Sequence, residues 1–297
     1  MGYAITTALL FAFSAICNTR VSRGMDQITA NLIRLTLSTV ILGIITCIYF
    51  PDSFHIYASS ILCLSGLIGF GIGDIALFFA LSKIGSRLTI LINFCTATVI
   101  GAFADIIFLK ESMKLTTWLF IFLILTGLTL AFFPDKKQNH SHKKLKLGII
   151  AAFIAGLGQG FGATTSRIAE RIALHDNIII TGISQAFQRV FAGMVFLALI
   201  YSFKKIFFYT KTKTKTQTSG VIHWLIFAAL FGPVCGVACF QESLRTMTSG
   251  ESMAIVSTSP LVLIPLAYIF EKDVPSKKSV AATFLAIIGI IGICLNL

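Results

Sequence analysis

Stretches of about twenty apolar residues recur from one end of this 297-residue chain to the other. That is the length a helix needs to cross a hydrocarbon layer about 30 Å thick. They cover residues 3–19, 27–50, 57–82, 88–109, 116–133, 146–165, 177–203, 221–243, 251–270 and 279–297, which predicts ten crossings. A backbone in lipid has no water to bond, and these runs lack the polar alternation of barrel strands, so the α-helix is the conformation left. The predicted fold class is an all-α integral membrane protein. Composition agrees: 56% of residues are hydrophobic, 12% are charged, and the mean hydropathy is +0.89. Soluble domains carry roughly 45–50% apolar and about 25% charged residues. No water-soluble domain is expected. The first stretch lacks the basic start of a cleaved signal peptide, so it reads as helix 1.

Two connections stand apart, PDKKQNHSHKKLK after helix 5 and KKIFFYTKTKTKTQTSG after helix 7, both basic. The first divides the chain into residues 1–135, a linker at 136–145, and residues 146–297, with five helices on either side. Shifted by 162 positions, FLKESMKLTTWLFIFLILTG overlays FEKDVPSKKSVAATFLAIIG without a gap: Phe108 on Phe270, Lys110 on Lys272, Glu111 on Asp273, Gly127 on Gly289. With small changes of shift, Arg34 in NLIRLTLSTVIL pairs with Arg189 in AFQRVFAGMVFL, and Ala80-Leu81 pairs with Ser243-Leu244. The order of these matches argues for duplication. An odd number of helices per half makes the repeat an inverted one, an arrangement common in secondary transporters.

The formal net charge is +12, yet the basic residues lie mostly between the apolar segments, which fits membrane orientation and not nucleic-acid binding. All seven cysteines (Cys17, Cys47, Cys63, Cys95, Cys235, Cys239, Cys294) sit in or beside apolar segments without metal-ligand spacing. His140 and His142 lack acidic or thiol neighbours, so solvated loop histidines are expected and no metal or cofactor is implied. On the face carrying both termini the loops hold five Lys or Arg (Lys110, Lys114, Arg167, Arg171 and Arg245), against seventeen on the other face. The positive-inside rule then places both termini outside.

Charges inside apolar helices cost about 2.5–3.5 kcal/mol at the centre and mark function. Arg34 and Asp74 lie in helices 2 and 3 at similar depth from one face, so an ion pair is feasible; snorkelling of Arg34 and a helix-to-helix hydrogen bond from Asp74 are the alternatives. Arg189 follows Gln185 and Gln188 in helix 7, and Asp105 and Glu242 are expected to approach from the same face. Apolar packing cannot account for that cluster, which favours a polar cavity wall over hydrogen bonding that glues neighbouring helices. Glycine pairs four apart recur at Gly69/Gly73, Gly158/Gly162 and Gly232/Gly236, and Gln159 among glycines suggests backbone facing a cavity. Helix 9 brings Ser257, Thr258, Ser259 and Pro260 together at membrane depth, where proline frees a carbonyl that hydroxyls can satisfy. The first half carries Asn93, Thr96 and Thr98 there, without proline.

With an arginine in the second helix of each half (Arg34, Arg189), the polar element Ser257 to Pro260, and the acids Glu111 and Glu271, the chain resembles the drug/metabolite transporter superfamily in its ten-helix EamA-type branch. The resemblance covers nearly the whole chain. Thr98 stands where the aligned half has Pro260, and a tryptophan frequent in the family's first helix is missing, which leaves the subfamily open. The resemblance implies export or exchange of amino acids or other small metabolites through a cavity lined by helices 1, 3, 4, 6, 8 and 9, and termini on the cytoplasmic side. The expected substrate pathway comprises Arg34, Asp74, Asn93, Thr96, Gln159, Gln185, Gln188, Arg189, Gln241, Ser257, Thr258 and Pro260. The expected partners are a small-molecule solute, the lipid bilayer of a cell (inner) membrane, and a proton or ion coupled through Asp74 and Arg34. Metalloprotease, serine-hydrolase and paired-carboxylate motifs are absent, so no enzyme is expected; a channel or sensory membrane protein is the alternative to a carrier.

Overall fold

The computed structural model describes residues 1–22, 24–132, 142–207, 220–262 and 277–296, and among them there is no strand. The helices are α1 (Gly2–Ser22), α2 (Gln27–Tyr49), α3 (Ile56–Gly66), α4 (Asp74–Ala104), α5 (Leu115–Phe132), α6 (His142–His175), α7 (Gly182–Phe207), α8 (Val221–Ala229), α9 (Cys235–Leu244), α10 (Ser249–Val256) and α11 (Lys277–Asn296). Three π-helical segments join them: Leu67–Gly73 between α3 and α4, Asp105–Leu109 after α4, and Leu230–Val234 between α8 and α9. Polar caps set the ends. The Asp26 side chain accepts from the Thr29 amide to start α2, and Thr248 with Glu251 forms a reciprocal capping box on α10.

Six helical spans among the described residues are long and apolar enough to cross a membrane: Ile28–Tyr49, Ile56–Ile84, Leu88–Leu109, Lys144–His175, Gly182–Phe203 and Val221–Leu244. Gly2–Asn18, Leu115–Ala131 and Val280–Leu295 are apolar and shorter. The crossing expected at 251–270 begins as α10. Its later part, with Pro265, Phe270, Glu271, Lys272 and Asp273, lies outside the described residues, as do most of the two basic connections.

α6 packs between the spans Ile56–Ile84 and Leu88–Leu109, which α4 joins. Against the first it runs antiparallel: a methyl group at Gly148 would lie 2.4 Å from Ile84, one at Gly158 would lie 2.8 Å from the Ile68 carbonyl oxygen, and Ser65 Oγ donates to the Gly162 carbonyl at 2.6 Å. Against the second it runs parallel, with Gly156 on Asn93 and Thr96, Gly160 on Ala97 and Gly101, and Thr164 on Asp105. The two spans therefore run antiparallel to each other, as a helical hairpin. α1 does the same for the other half: Phe11 meets Gly236, Ser14 meets Gly232, and Ser14 Oγ donates to the Ala228 carbonyl at 3.1 Å. Each half thus lends its first helix to the hairpin of the other.

The equivalences are detailed. At the offset of 163 that overlays Ala80 on Ser243, Gly69 and Gly73 fall on Gly232 and Gly236, and Leu67, which opens the first π segment, falls on Leu230, which opens the third. α5 and α11 pack antiparallel. A methyl group on Gly127 would lie 2.8 Å from the Ala282 carbonyl and 3.3 Å from the Ala286 nitrogen; one on Gly289 would lie 3.0 Å from the Phe120 carbonyl and 3.3 Å from the Ile124 nitrogen. Under the offset of 162, Phe120 and Ile124 are the counterparts of Ala282 and Ala286, so the contact is self-complementary, as a twofold axis requires. Because Gly127 contacts backbone, Gly127→Val is expected to lower stability by about 1–3 kcal/mol, the range for overpacking a dense interior, read as thermal unfolding of the detergent-purified protein.

Candidate functional site

Where the two hairpins and the two lent helices meet, a cavity is lined by Phe11 of α1, Gly69 and Phe70 of the first π segment, Asp74 and Phe94 of α4, Gln159 of α6, Arg189 of α7, Val237 and Phe240 of α9, and Met253 and Val256 of α10. Except for Arg189, these come from the helices that the family resemblance implies. A second recess shares Phe11, Phe70 and Val237 with it and continues past Ser14, Arg34 and Pro233 to Asn18. Since Asn18 lies near the end of α1, this path leads toward the face of the α1–α2 connection.

Asp74 is balanced within its own half. The Arg34 Nη2 atom is 3.8 Å from its carboxylate, Asn31 Nδ2 donates to it at 3.1 Å, and Arg34 Nη2 donates to Asn31 Oδ1 at 2.6 Å. Arg189 differs. It is 4% exposed, its Nε and Nη1 have no hydrogen-bond partner among the described residues, and its guanidinium stands over the Phe70 ring at 5.5 Å. Room for it comes from glycine: methyl groups at Gly69 and Gly162 would sit 3.3 and 3.2 Å from Nη2, and one at Gly66 would collide with the Arg189 carbonyl at 2.1 Å.

The other expected pathway residues divide. Asn93 Nδ2 donates to Oε1 of the cavity-lining Gln159 at 3.5 Å. Thr96 packs on Gly156. Gln185 turns away to Glu170 and the Ile180 carbonyl, and Gln188 donates to the Ser53 carbonyl at 3.5 Å, so neither lines the cavity with Arg189. Gln241 is fully buried with both amide atoms unpartnered among the described residues. Ser257 and Thr258 return their hydroxyls to the Ala254 and Ile255 carbonyls at 2.7 and 2.6 Å, and buried Pro260 follows in the next helical turn.

Asp105 and Glu242 are not near Arg189 but belong to a polar clasp that closes the opposite end. Asp105, 1% exposed, accepts from Arg167 Nη1 at 2.6 Å, Thr164 Oγ1 at 2.8 Å, and the amide and hydroxyl of Ser249 at 2.6 and 2.9 Å. Arg167 also pairs with Glu111 at 2.7 Å, and Arg171 pairs with Glu111. Arg245 bridges Glu170 at 2.9 Å and Glu242 at 2.6 Å, and His55 reaches Asp176 at 2.8 Å. Sequence reasoning placed Arg167, Arg171 and Arg245 only in the charge count of this face. The acids Asp105 and Glu242, assigned to the same face, were the available signal for their pairing.

Interlocked halves built around such a cavity define a polytopic membrane protein of the inverted-repeat transporter class. The model of the EamA-like transporter family matches residues 1–133 and again residues 146–295, and the chain belongs to that family, within the drug/metabolite transporter superfamily. It is an integral, multi-pass membrane protein. A solved crystal structure shares the fold with a TM-score of 0.75 and 15% sequence identity, over 99% of this chain and 95% of that one. No curated protein matches the chain by sequence.

Burial alone would push the Glu111 carboxyl up, but the hydrogen bond and charge of Arg167, with the charge of Arg171, outweigh it and hold the group below the ordinary glutamate value. A depressed carboxylate stabilises the fold fully above its unfolded value, about 4.3 for glutamate, and that contribution is lost as pH falls through the lower folded value. Glu111→Gln is therefore expected to lower thermal stability at pH 7, by up to about 1 kcal/mol for a pair this exposed. The gap to the parent protein should close only below about pH 4.

Proposed function

We propose that this protein is a secondary carrier that moves a small solute across the cell membrane by alternating access between two inverted five-helix halves, with ten crossings in all. The observation that carries the reading is the cavity where the halves interlock, reached from one face and sealed at the other by the Asp105–Arg167–Glu111 clasp. A clasp at one end only favours a carrier, whose cavity opens to one side at a time. Because the halves are equivalent, exchanging their conformations would open the clasped end and shut the other. The π segments at equivalent positions in the two hairpins supply places where helices can bend, since such segments concentrate at functional sites.

The excess of basic residues at the open end makes it the cytoplasmic one under the positive-inside rule, with both termini outside. Asp74, held by Arg34 and Asn31 at the cavity edge, is the group through which a proton or ion would couple to the cycle. Counterflow in proteoliposomes tests the carrier reading. Vesicles loaded with a mixture of amino acids, nucleosides, sugars and organic acids are expected to take up one labelled class saturably, and faster when that class is present inside. Flux that rises without saturation, or ionic conductance without counterflow, would replace the carrier by a channel.

A further inference from the structure

The duplication that gave each half an arginine did not give each half an acid. At the offset of 155 that overlays Arg34 on Arg189, Asn31 falls on Ala186; at the offset of 163 that overlays the glycine motifs, Asp74 falls on Val237. The trio Asn31, Arg34 and Asp74 of the first half thus reads Ala186, Arg189 and Val237 in the second. The positions remain equivalent in space, for each guanidinium approaches the first glycine of the other half's motif: Arg34 stands 3.9 Å from a methyl group placed on Gly232, and Arg189 stands 3.3 Å from one on Gly69. Ala186 and Val237 pack in one apolar cluster, so the two partners of Arg34 are replaced by hydrocarbon around Arg189.

A guanidinium is charged at any physiological pH, and burying it unpaired costs several kcal/mol. A counter-ion arriving with the solute removes that cost. We infer that the transported solute is a small organic monoanion, a carboxylate on an apolar body, whose carboxylate supplies the negative charge that the second half lacks and pairs with Arg189 from the cavity. This deepens the carrier reading above and rests on it for the word transported; the binding claim stands apart. The guanidinium fork matches a carboxylate in two parallel hydrogen bonds. Gln159, which accepts from Asn93 and lines the cavity, adds a neutral polar side chain to the same wall. Phe70, Phe94, Phe240 and Met253 supply an apolar surround for the rest of the molecule. An ammonium group on the solute gains nothing, because Asp74 is already matched by Arg34 and Asn31.

Thermal stability of the detergent-purified protein is the readout, with butyrate, 3-phenylpropionate and indole-3-acetate tested against the amide and the amine of each, and with phenylalanine and oleate alongside. A ligand present at a hundred times its dissociation constant adds about 2.7 kcal/mol of stability. The expected result is a saturable shift with at least one of the small carboxylates, none with its amide or amine, and no gain for phenylalanine over 3-phenylpropionate. Arg189→Gln should abolish the shift, and Arg189→Lys should keep it with at least tenfold weaker affinity; the charge series on the parent protein stands even where a variant fails to fold. A shift with amines or amides, with phenylalanine alone, with oleate alone, or with none of the probes would overturn the inference. Binding of the carboxylate without counterflow would sink the carrier reading and leave this one standing, whereas counterflow of a cation untouched by Arg189→Gln would do the reverse.

Discussion

A guanidinium group kept from water must find a partner, and the centre of this protein is organised around two of them. Arg34 and Arg189 occupy equivalent crossings of the two halves, and each reaches the first glycine of the opposite hairpin: Gly232 lies beside the first, while Gly69 and Gly162 leave room for the second. Gly69 and Gly162 also let the lent helix α6 approach the first hairpin to backbone contact, and Gly232 leaves room for the Ser14 side chain of α1 against the second. Helix packing and the placement of charge are therefore one feature. A side chain at Gly66 would displace the α7 backbone at Arg189 itself.

From that near-symmetry two departures follow, and both bear on transport. Along the membrane normal, one end is drawn together by Asp105, Glu111 and Glu170 with Arg167, Arg171 and Arg245, while the other leads from Asn18 past Arg34 into the cavity. Across the membrane plane, Arg34 pairs with an acid, whereas Arg189 has none among the described residues. Among the described residues the first departure is what the proposed carrier would show in either of its two states, since perfectly equivalent halves would be open to both sides or to neither. The second is fixed in the sequence and persists whichever end is open, so it gives the cavity a lasting preference for one sign of charge.

Much of this was legible in the chain. The apolar lengths gave the helices, the Gly127 and Gly289 match gave a contact that proves self-complementary, and the arginine match gave the two crossings. Pairing of Arg34 with Asp74 was open from depth alone, because depth fixes height in the membrane and not rotation about the helix axis. Rotation is also why Gln188, about 100° round the helix from Arg189, faces Ser53 and not the cavity; Gln185 shares the face of Arg189 but sits one turn nearer the helix start, where it meets Glu170. The clasp needed the distances between loops of different halves, which no local pattern encodes. The absence of an acid at Val237 could have been read from the aligned halves, but it acquires meaning only when Arg189 is found buried beside it.

An unpaired positive charge at the cavity wall makes charge-selective thiol modification the most direct measurement. In a chain whose seven native cysteines are replaced, Val237→Cys places a thiol in the lining shared by the cavity and its approach. An anionic sulfonatoethyl methanethiosulfonate should modify it faster than the trimethylammonium reagent, relative to a cysteine on an exposed loop, and Arg189→Gln should erase that preference. Faster reaction with the cationic reagent in the presence of Arg189 would contradict the account.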